Sequence, residues 1–200
     1  MPEKSEHKAA LFADLLLFYS FFIHINSQAG FLCIEIYVFL ALMKYAIIDI
    51  ETTGGSPKRD KITEIAIYIH NGEEVVDEFV SLINPERYIP AFITSLTGIT
   101  NTMVEDAPRF YEIARKIVEI TEDAVFVAHN VSFDYQFVKE EFRRLEYNYK
   151  RKTLCTVQES KRVFPGFSSY SLGKLTPHFG IHINGRHRAA GDAYATAQLF

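Results

Sequence analysis

Residues 45–54 read YAIIDIETTG, and this stretch predicts both a buried strand and the first acidic site of the chain. A near-continuous apolar run that ends at two threonines and a glycine is typical of a central strand. Asp49 and Glu51 are two positions apart, so their side chains lie on one face of that strand, together with Ile47. These charges sit on an otherwise apolar face, and no Lys or Arg lies nearby on the strand. They therefore need other partners, such as metal ions, unless this strand end simply faces solvent.

The residues that follow this strand predict an α/β domain. Two β-rich runs joined by Asn71-Gly72, a strong hairpin signal, make the first three strands an antiparallel meander. Hydrophobic periodicity then predicts two more strands, at 124–128 and 152–156, and helices at 108–121, 133–145, 157–163, 171–179 and from about 189 onward. The last helix is still running at Phe200 without a C-cap, which predicts that the chain is part of a longer protein.

Residues 1–42 form a hydrophobic extension of a different character. Its apolar stretches, 11–23 and 29–43, are shorter than the ~20 residues of a spanning helix, and Asp14 and Glu35 interrupt them. Three interpretations remain open: a membrane hairpin or anchor, an added helical packing element, and sequence upstream of the true start. We favour the third, because Met43-Lys44 followed at once by a strand resembles the start of a compact domain. A membrane role is therefore not expected, and the predicted catalytic domain is 43–200.

Composition narrows the class of protein. A chain of 200 residues with 48% hydrophobic and 23% charged residues fits one globular domain with a short appendage. The net charge of −4 argues against binding nucleic acid by global attraction, so a local basic rim or bound cations would have to supply it. Cys33 and Cys155 are too few for a disulfide framework and lack zinc-site spacing. A reducing, cytoplasmic location is expected.

Two more acidic motifs follow along the chain. Residues 129–134, HNVSFD, place Asp134 in the first turn of a helix directly after a buried strand. Residues 187–192, HRAAGD, place His187 and Asp192 at the start of the last helix. Each motif alone has an ordinary explanation, because acidic residues in a first helical turn compensate the helix dipole. The order of the three motifs is far more specific than any one of them.

That order resembles the DEDDh 3′→5′ exonucleases and is most similar to the proofreading (epsilon-type) exonuclease of bacterial DNA polymerase III. Five stretches between residues 44 and 200 carry the resemblance: 49–54, 96–100, 129–134, 170–172 and 187–193. It implies an α/β, ribonuclease H-like fold with a mixed five-stranded sheet, an antiparallel meander and then parallel strands, flanked by helices. It also implies the histidine subclass, because Arg188 occupies the position where the tyrosine subclass has its tyrosine.

The resemblance further implies how the site works. Two divalent cations, Mg²⁺ or Mn²⁺, about 3.5–4 Å apart activate the attacking water and stabilise the leaving 3′ oxygen. By the family pattern Asp49 bridges both ions, Glu51 and Asp192 hold the ion on the nucleophile side, and Asp134 supports the second through water. His187 is the expected general base, because imidazole ordinarily titrates near pH ~6.5.

Substrate and partners follow less directly from the sequence. The expected substrate is the 3′ end of single-stranded or frayed DNA, from which nucleoside 5′-monophosphates are released in proofreading or repair. A DNA polymerase subunit is a candidate partner. A 3′→5′ exoribonuclease of the same superfamily is the first alternative. A non-catalytic nucleic-acid-binding or polymerase-docking module is the second. The candidate substrate contacts are Thr52, Thr53, Leu96, Ile99, His129 and Phe133, with basic residues in 58–61 and 186–188 as possible phosphate guides.

Overall fold

The computed structural model describes residues 43–200. The predictions for residues 1–42 lie outside this part of the chain. Within 43–200, a search for helices long and apolar enough to cross a bilayer finds none.

Within residues 43–200, one mixed sheet of five strands organises the fold, in the order β3-β2-β1-β4-β5. Strand β1 pairs antiparallel with β2 and parallel with β4, β2 pairs antiparallel with β3, and β4 pairs parallel with β5. The meander followed by parallel strands is therefore confirmed. The strands are β1 Lys44–Thr52, β2 Ile62–His70, β3 Val75–Leu82, β4 Ala124–Ala128 and β5 Thr153–Cys155.

Helices cover both faces of this sheet. They are α1 Ala91–Thr97, α2 Asn101–Glu105, α3 Phe110–Ile120, α4 Val131–Arg144, α5 Thr156–Val163, α6 Leu172–Leu175, a 3₁₀ turn Thr176–Phe179, and α7 Ala189–Leu199. The apolar faces of α3 and α4 pack on one side of the sheet. On the other side α7 lays Ala189, Ala193 and Ala197 against Ile47 and Val127. These alanines are spaced four apart, so their small side chains let α7 lie close to the strands.

Parallel pairing places the functional strand ends together. Because β1, β4 and β5 run parallel, their carboxyl ends meet at one edge of the sheet. That edge therefore carries the residues that follow β1 and β4. It also carries the first turn of α5, which comes directly after β5. In an α/β sheet this is the usual place for a ligand site.

Local structure departs from the sequence predictions in two places. The β2–β3 hairpin turns through residues 71–74, and the Asn71 side chain accepts hydrogen bonds from the backbone N–H groups of Glu73 and Glu74. A four-residue turn replaces the expected two-residue turn because this side chain caps it. Helices α1 and α2 were not predicted. They have seven and five residues, too few for a hydrophobic period to be read.

Candidate active site

Asp49 and Glu51 lie at the carboxyl end of β1, half-buried on the face that α7 covers. Ile47 precedes them on the same face and is fully buried against α7. The alternation predicted from the sequence therefore places both carboxylates at the end of a buried face. A charge in this position is largely removed from water and needs a compensating partner.

Asp192 completes a group of three carboxylates. It lies in the first turn of α7, and one oxygen each from Asp49, Glu51 and Asp192 fall within 4.8 Å of one another. Asp192 Oδ1 is buried and has no hydrogen-bond partner among residues 43–200. An unpartnered buried oxygen beside two further carboxylates fits a hard divalent cation, which takes oxygen ligands. This acidic cluster can therefore hold a metal ion.

Asp134 approaches the same site from α4, on the opposite face of the sheet. It lies in the first turn of that helix and is 4% exposed. It does not belong to the group of three, but its charge acts on both Asp49 and Glu51. The four acidic residues predicted from the sequence thus converge at one edge of the sheet.

Burial and mutual repulsion perturb these carboxyl groups strongly. Burial first, then the charges of Asp134 and Asp192, raise the pKa of Asp49 well above its usual value. Burial and the neighbouring carboxylates raise the pKa of Glu51 to about 8, and burial alone raises that of Asp134 to about 8. The pKa of Asp192 is also raised by burial. Such a set is hard to ionise together without a cation.

His187 is held beside this cluster by an unusual backbone conformation. Its φ is 59°, in the left-handed region, and its N–H donates to Asp192 Oδ2 at 3.1 Å. The imidazole lies close enough to Asp192 to oppose the rise in the pKa of that carboxyl. A half-buried imidazole next to an acidic cluster is suited to accept a proton from a nearby water.

Gly191 explains how the His187 turn packs on α7. A Cβ at this position would collide with the carbonyl oxygens of Asn184 and Gly185. The segment leading into His187 therefore crosses the first turn of α7 at a distance that only glycine permits. The glycine in the motif HRAAGD has a packing reason that the sequence alone did not reveal.

Glu64 is the functional neighbour that sequence reasoning missed. Its side chain is 3% exposed on β2 and pairs with Arg188 through two contacts, at 2.6 and 3.0 Å. It also accepts the N–H of Ala189 at 2.9 Å, at the start of α7. The Arg188 guanidinium is therefore engaged by Glu64, which argues against its use as a phosphate guide. The signal was present, because a glutamate in the apolar run of β2 needs a buried partner.

The loop between β1 and β2 is fixed by its own contacts. The Thr52 hydroxyl donates to Gly54 O at 2.7 Å, and the Thr53 hydroxyl accepts from the Lys61 N–H at 3.1 Å. Lys61 in turn pairs with the buried Glu141 of α4 at 3.2 Å. Both threonine side chains are thus used within the protein, and the Thr53 N–H also donates to Lys61 O at 2.8 Å.

The remaining predicted contact residues differ in exposure. Leu96 is 54% exposed on α1, whereas Ile99 is fully buried in a small cluster with Ile89 and Ile93. Phe133 is half-buried, 4.9 Å from the Phe137 ring. Leu96 is therefore available to a ligand, whereas the contacts of Ile99 are internal.

His129 uses both of its ring nitrogens within the protein. Nε2 lies 2.8 Å from Tyr170 O and Nδ1 lies 2.9 Å from the Thr156 hydroxyl. Burial lowers the pKa of this imidazole, so it is neutral near pH 7. A carbonyl can only accept, so Nε2 donates to Tyr170 and Nδ1 accepts from Thr156. His129 therefore ties the loop containing Tyr170 to the end of β4.

Comparisons with known proteins agree with this geometry. The 3′-5′ exonuclease DinG of Bacillus subtilis (strain 168) is 40% identical over 159 residues, covering 78% of this chain and 17% of that protein. The DNA polymerase III PolC-type of Caldanaerobacter subterraneus subsp. tengcongensis is 38% identical over 157 residues, covering 78% of this chain and 11% of that protein. This chain thus spans less than a fifth of either relative.

A solved structure supports the fold independently. Escherichia coli Exonuclease I, in complex with a dT13 oligonucleotide, matches with a TM-score of 0.71 at 20% identity, over 78% of this chain and 40% of that one. The predicted ribonuclease H-like architecture is confirmed. Residues 46–200, which are most of the chain, match the family RNase_T, described as Exonuclease. The order of the acidic motifs predicted this relationship, and the chain belongs to the Exonuclease family.

Proposed function

We propose that this chain is a 3′→5′ exonuclease that hydrolyses the terminal phosphodiester of single-stranded or frayed DNA and releases nucleoside 5′-monophosphates. The carboxylate cluster of Asp49, Glu51 and Asp192, with its unpartnered oxygen and adjacent His187, is the observation that carries the proposal. The 40% identity to a protein named 3′-5′ exonuclease supports the direction of attack. The dT13 oligonucleotide bound by a structural relative supports a single-stranded DNA substrate.

Asp49, Glu51 and Asp192 would hold two divalent cations, Mg²⁺ or Mn²⁺, with Asp134 as a more distant support. When bound, such ions neutralise the carboxylates, activate water and stabilise the leaving oxygen. His187 accepts the proton of the attacking water at an imidazole nitrogen. The water oxygen forms a bond to phosphorus, the bond from phosphorus to the 3′ oxygen breaks, and that oxygen takes a proton from solvent.

The decisive experiment follows the products of a 5′-labelled single-stranded DNA in the presence of MnCl₂ or MgCl₂. We expect a ladder that shortens from the 3′ end and stops when the cation is chelated. Asp192→Asn should reduce the rate at least a hundredfold, because it removes one ligand charge while keeping the side-chain shape. Asp123→Asn is the matched control, since Asp123 is exposed at a positive φ that asparagine also favours.

Two outcomes would favour one of the alternative functions. A strong preference for a matched RNA oligomer would favour the exoribonuclease alternative, because chemistry at the carboxylates does not depend on the 2′ position. Activity that is absent from the wild type, or unchanged in Asp192→Asn, would favour a non-catalytic binding module. Association with a polymerase is a further proposal, supported by the identity to a PolC-type polymerase. A pull-down with polymerase subunits tests it.

A further inference from the structure

A cavity of about 620 Å³ opens at the carboxyl ends of β4 and β5, beside the candidate active site. His129 and Asn130, which follow β4, form one wall, and Lys161 of α5 forms another. The loop 167–171 closes the third side. Adjacent strands lie about 4.8 Å apart, so the β5 side of this cavity is roughly 10 Å from the end of β1.

The walls of this cavity are held in place by specific contacts. His129 fixes the Tyr170 carbonyl, as described above. The Tyr170 hydroxyl donates to Phe164 O at 2.7 Å and accepts from the Phe167 N–H at 3.3 Å. The Phe167 ring packs against His178 and, edge-on, against Tyr170. The loop is therefore organised before any ligand arrives, which reduces the entropy cost of binding.

The lining of this cavity differs from that of two other cavities in residues 43–200, because it contains a basic residue and no acidic one. The cavity beside α4 is lined by Glu140 and Glu146 together with three basic residues, Lys58, Lys139 and Arg143. The cavity at the β2–β3 hairpin is lined by Glu73 and Glu74. No acidic residue lines the cavity beside β5, whereas Lys161 places its Nζ 5.7 Å from the centre of the Tyr170 ring. In a chain with net charge −4, a pocket that combines a cation with aromatic rings is suited to a polyanion with flat bases.

We propose that this pocket binds a nucleotide of a single-stranded polynucleotide upstream of the scissile bond, with the base against Phe167 and Tyr170 and a phosphate near Lys161. The proposal rests on the proposed function. The three serines of the loop, Ser168, Ser169 and Ser171, offer hydroxyl groups to the sugar and phosphate. Stacking and phosphate contacts of this kind do not read base identity, so the pocket adds affinity without sequence preference.

Binding of a fluorescent six-nucleotide single-stranded DNA with phosphorothioate 3′ linkages tests the pocket without turnover, using the full chain and anisotropy. Phe167→Ala should weaken binding about fivefold to a hundredfold, the range for one lost base stack, and Phe167→Tyr should restore it. Phe164→Ala is the matched control, because Phe164 is an exposed aromatic of the same segment outside the pocket. The effect of Phe167→Ala should shrink when the oligomer is shortened to a dinucleotide.

Salt dependence provides an independent readout. Loss of one phosphate contact reduces the slope of log affinity against log salt by about 0.7 for a single strand, and Lys161→Ala should show this change. Lys152→Ala is the control for Lys161→Ala. Lys152 is exposed and precedes the amino end of β5, whereas the cavity lies at the carboxyl end of that strand. The proposal that this pocket binds a nucleotide would be overturned if the Phe167→Ala and Phe164→Ala variants bound the DNA oligomer with equal affinity. It would also be overturned if Lys161→Ala left the salt-dependence slope unchanged. Binding without cleavage of an ordinary DNA oligomer would instead overturn the proposed function and leave the pocket standing.

Discussion

Glu51 and Glu64 are direct cross-strand partners in β1 and β2, and Arg188 forms its ion pair with Glu64. Two like charges in opposing positions destabilise a strand pair unless one of them is compensated. Glu64 is compensated twice, by the Arg188 guanidinium and by the N–H of Ala189. Glu51 keeps a pKa of about 8 and faces Asp49 and Asp192. Glu64 thus has a protein partner in the ion pair with Arg188, whereas the Glu51 carboxylate faces the acidic cluster and is suited to bind a cation.

Glu64→Gln should therefore weaken the metal site through α7. The change removes the ion-pair partner of Arg188. Losing one member of a fully buried pair costs about 3–5 kcal/mol, and the cost here is smaller because the Arg188 side chain is 37% exposed. The Ala189 N–H at the start of α7, which carries Asp192, then donates to an uncharged amide oxygen in place of a carboxylate. We expect a lower melting temperature and a severalfold weaker Mn²⁺ affinity by isothermal titration calorimetry.

Glu141→Gln separates the loss of stability expected for Glu64→Gln from its expected loss of Mn²⁺ affinity. Glu141 is as buried as Glu64 and pairs with Lys61 and Arg144, but it lies on α4 and does not contact α7. Its loss should reduce stability by a similar amount while Mn²⁺ affinity remains close to that of the wild type. If both variants lose Mn²⁺ affinity equally, Glu64 is only a stabilising residue and does not position the site.

Gly191→Ala should impair the site although alanine is the better helix former. Helix propensity favours alanine by about 1 kcal/mol, whereas overpacking costs about 1–3 kcal/mol. The added Cβ would lie 2.6 Å from Gly185 O, so the segment that carries His187 must move. We expect a rate of DNA hydrolysis at least tenfold lower, with unchanged helix content by circular dichroism.

Gly55→Ala is the control for this substitution. Gly55 has no atom within 4 Å of the position that a Cβ would occupy. Its variant should retain the wild-type rate and gain little or no stability. A Gly191→Ala variant with full activity would mean that the close approach of the His187 segment does not matter for catalysis.

Divalent cations should stabilise the chain more at pH 8.5 than at pH 6. The pKa values of Glu51 and Asp134 are raised to about 8, above those of the unfolded chain. Their contribution to stability is present below about pH 4 and is lost as the pH rises through about 8. Without cations the melting temperature should therefore fall between pH 6 and 8.5. Saturating Mn²⁺ or Mg²⁺ should raise it by about 5–10 °C at the higher pH.

Asp49→Asn tests whether the fall in melting temperature at high pH comes from repulsion within the carboxylate cluster. The substitution removes one buried charge from the cluster, so the cation-free protein should be more stable than the wild type at pH 8.5. The same variant should show little response to added cations. A wild-type melting temperature that rises with pH in the presence of a chelator would contradict the repulsion on which this prediction depends.

Much of the fold was predictable because its strongest signals are local. The apolar runs of β1 and β4 are continuous and end at polar turn residues, so their type and burial follow from residue order. The alternation through Ile47, Asp49 and Glu51 also fixes which side chains share a face. Helices α1 and α2 were missed because such short elements are stabilised by tertiary contacts, such as the burial of Ile93 and Val104.

The candidate site was predictable in its acidic members and not in its supports. Asp49, Glu51, Asp134 and Asp192 carry charge at strand ends and helix starts, where the sequence marks them. The pairing of Glu64 with Arg188 joins positions 124 residues apart, and the close approach at Gly191 depends on how the preceding segment folds back. Contacts of this range are set by strand register and packing, which no local pattern in one sequence reports.

His129 should act through the loop that it holds and not on the reacting phosphate. Both ring nitrogens are engaged by Tyr170 and Thr156, so His129→Leu removes the donor to the Tyr170 carbonyl and leaves the Thr156 hydroxyl only its 3.4 Å contact with Ala128 O, at a cost of about 1–3 kcal/mol. The loop 164–171 should then exchange its amide hydrogens faster, and KM for single-stranded DNA should rise while kcat changes little. Thr156→Val removes the Nδ1 contact and the 3.4 Å contact of the Thr156 hydroxyl with Ala128 O but keeps the contact of His129 with Tyr170, so it should give a smaller change in the same direction. A His129→Leu variant with lowered kcat and unchanged KM would instead place the imidazole at the reacting phosphate, and the loop would lose its role in binding.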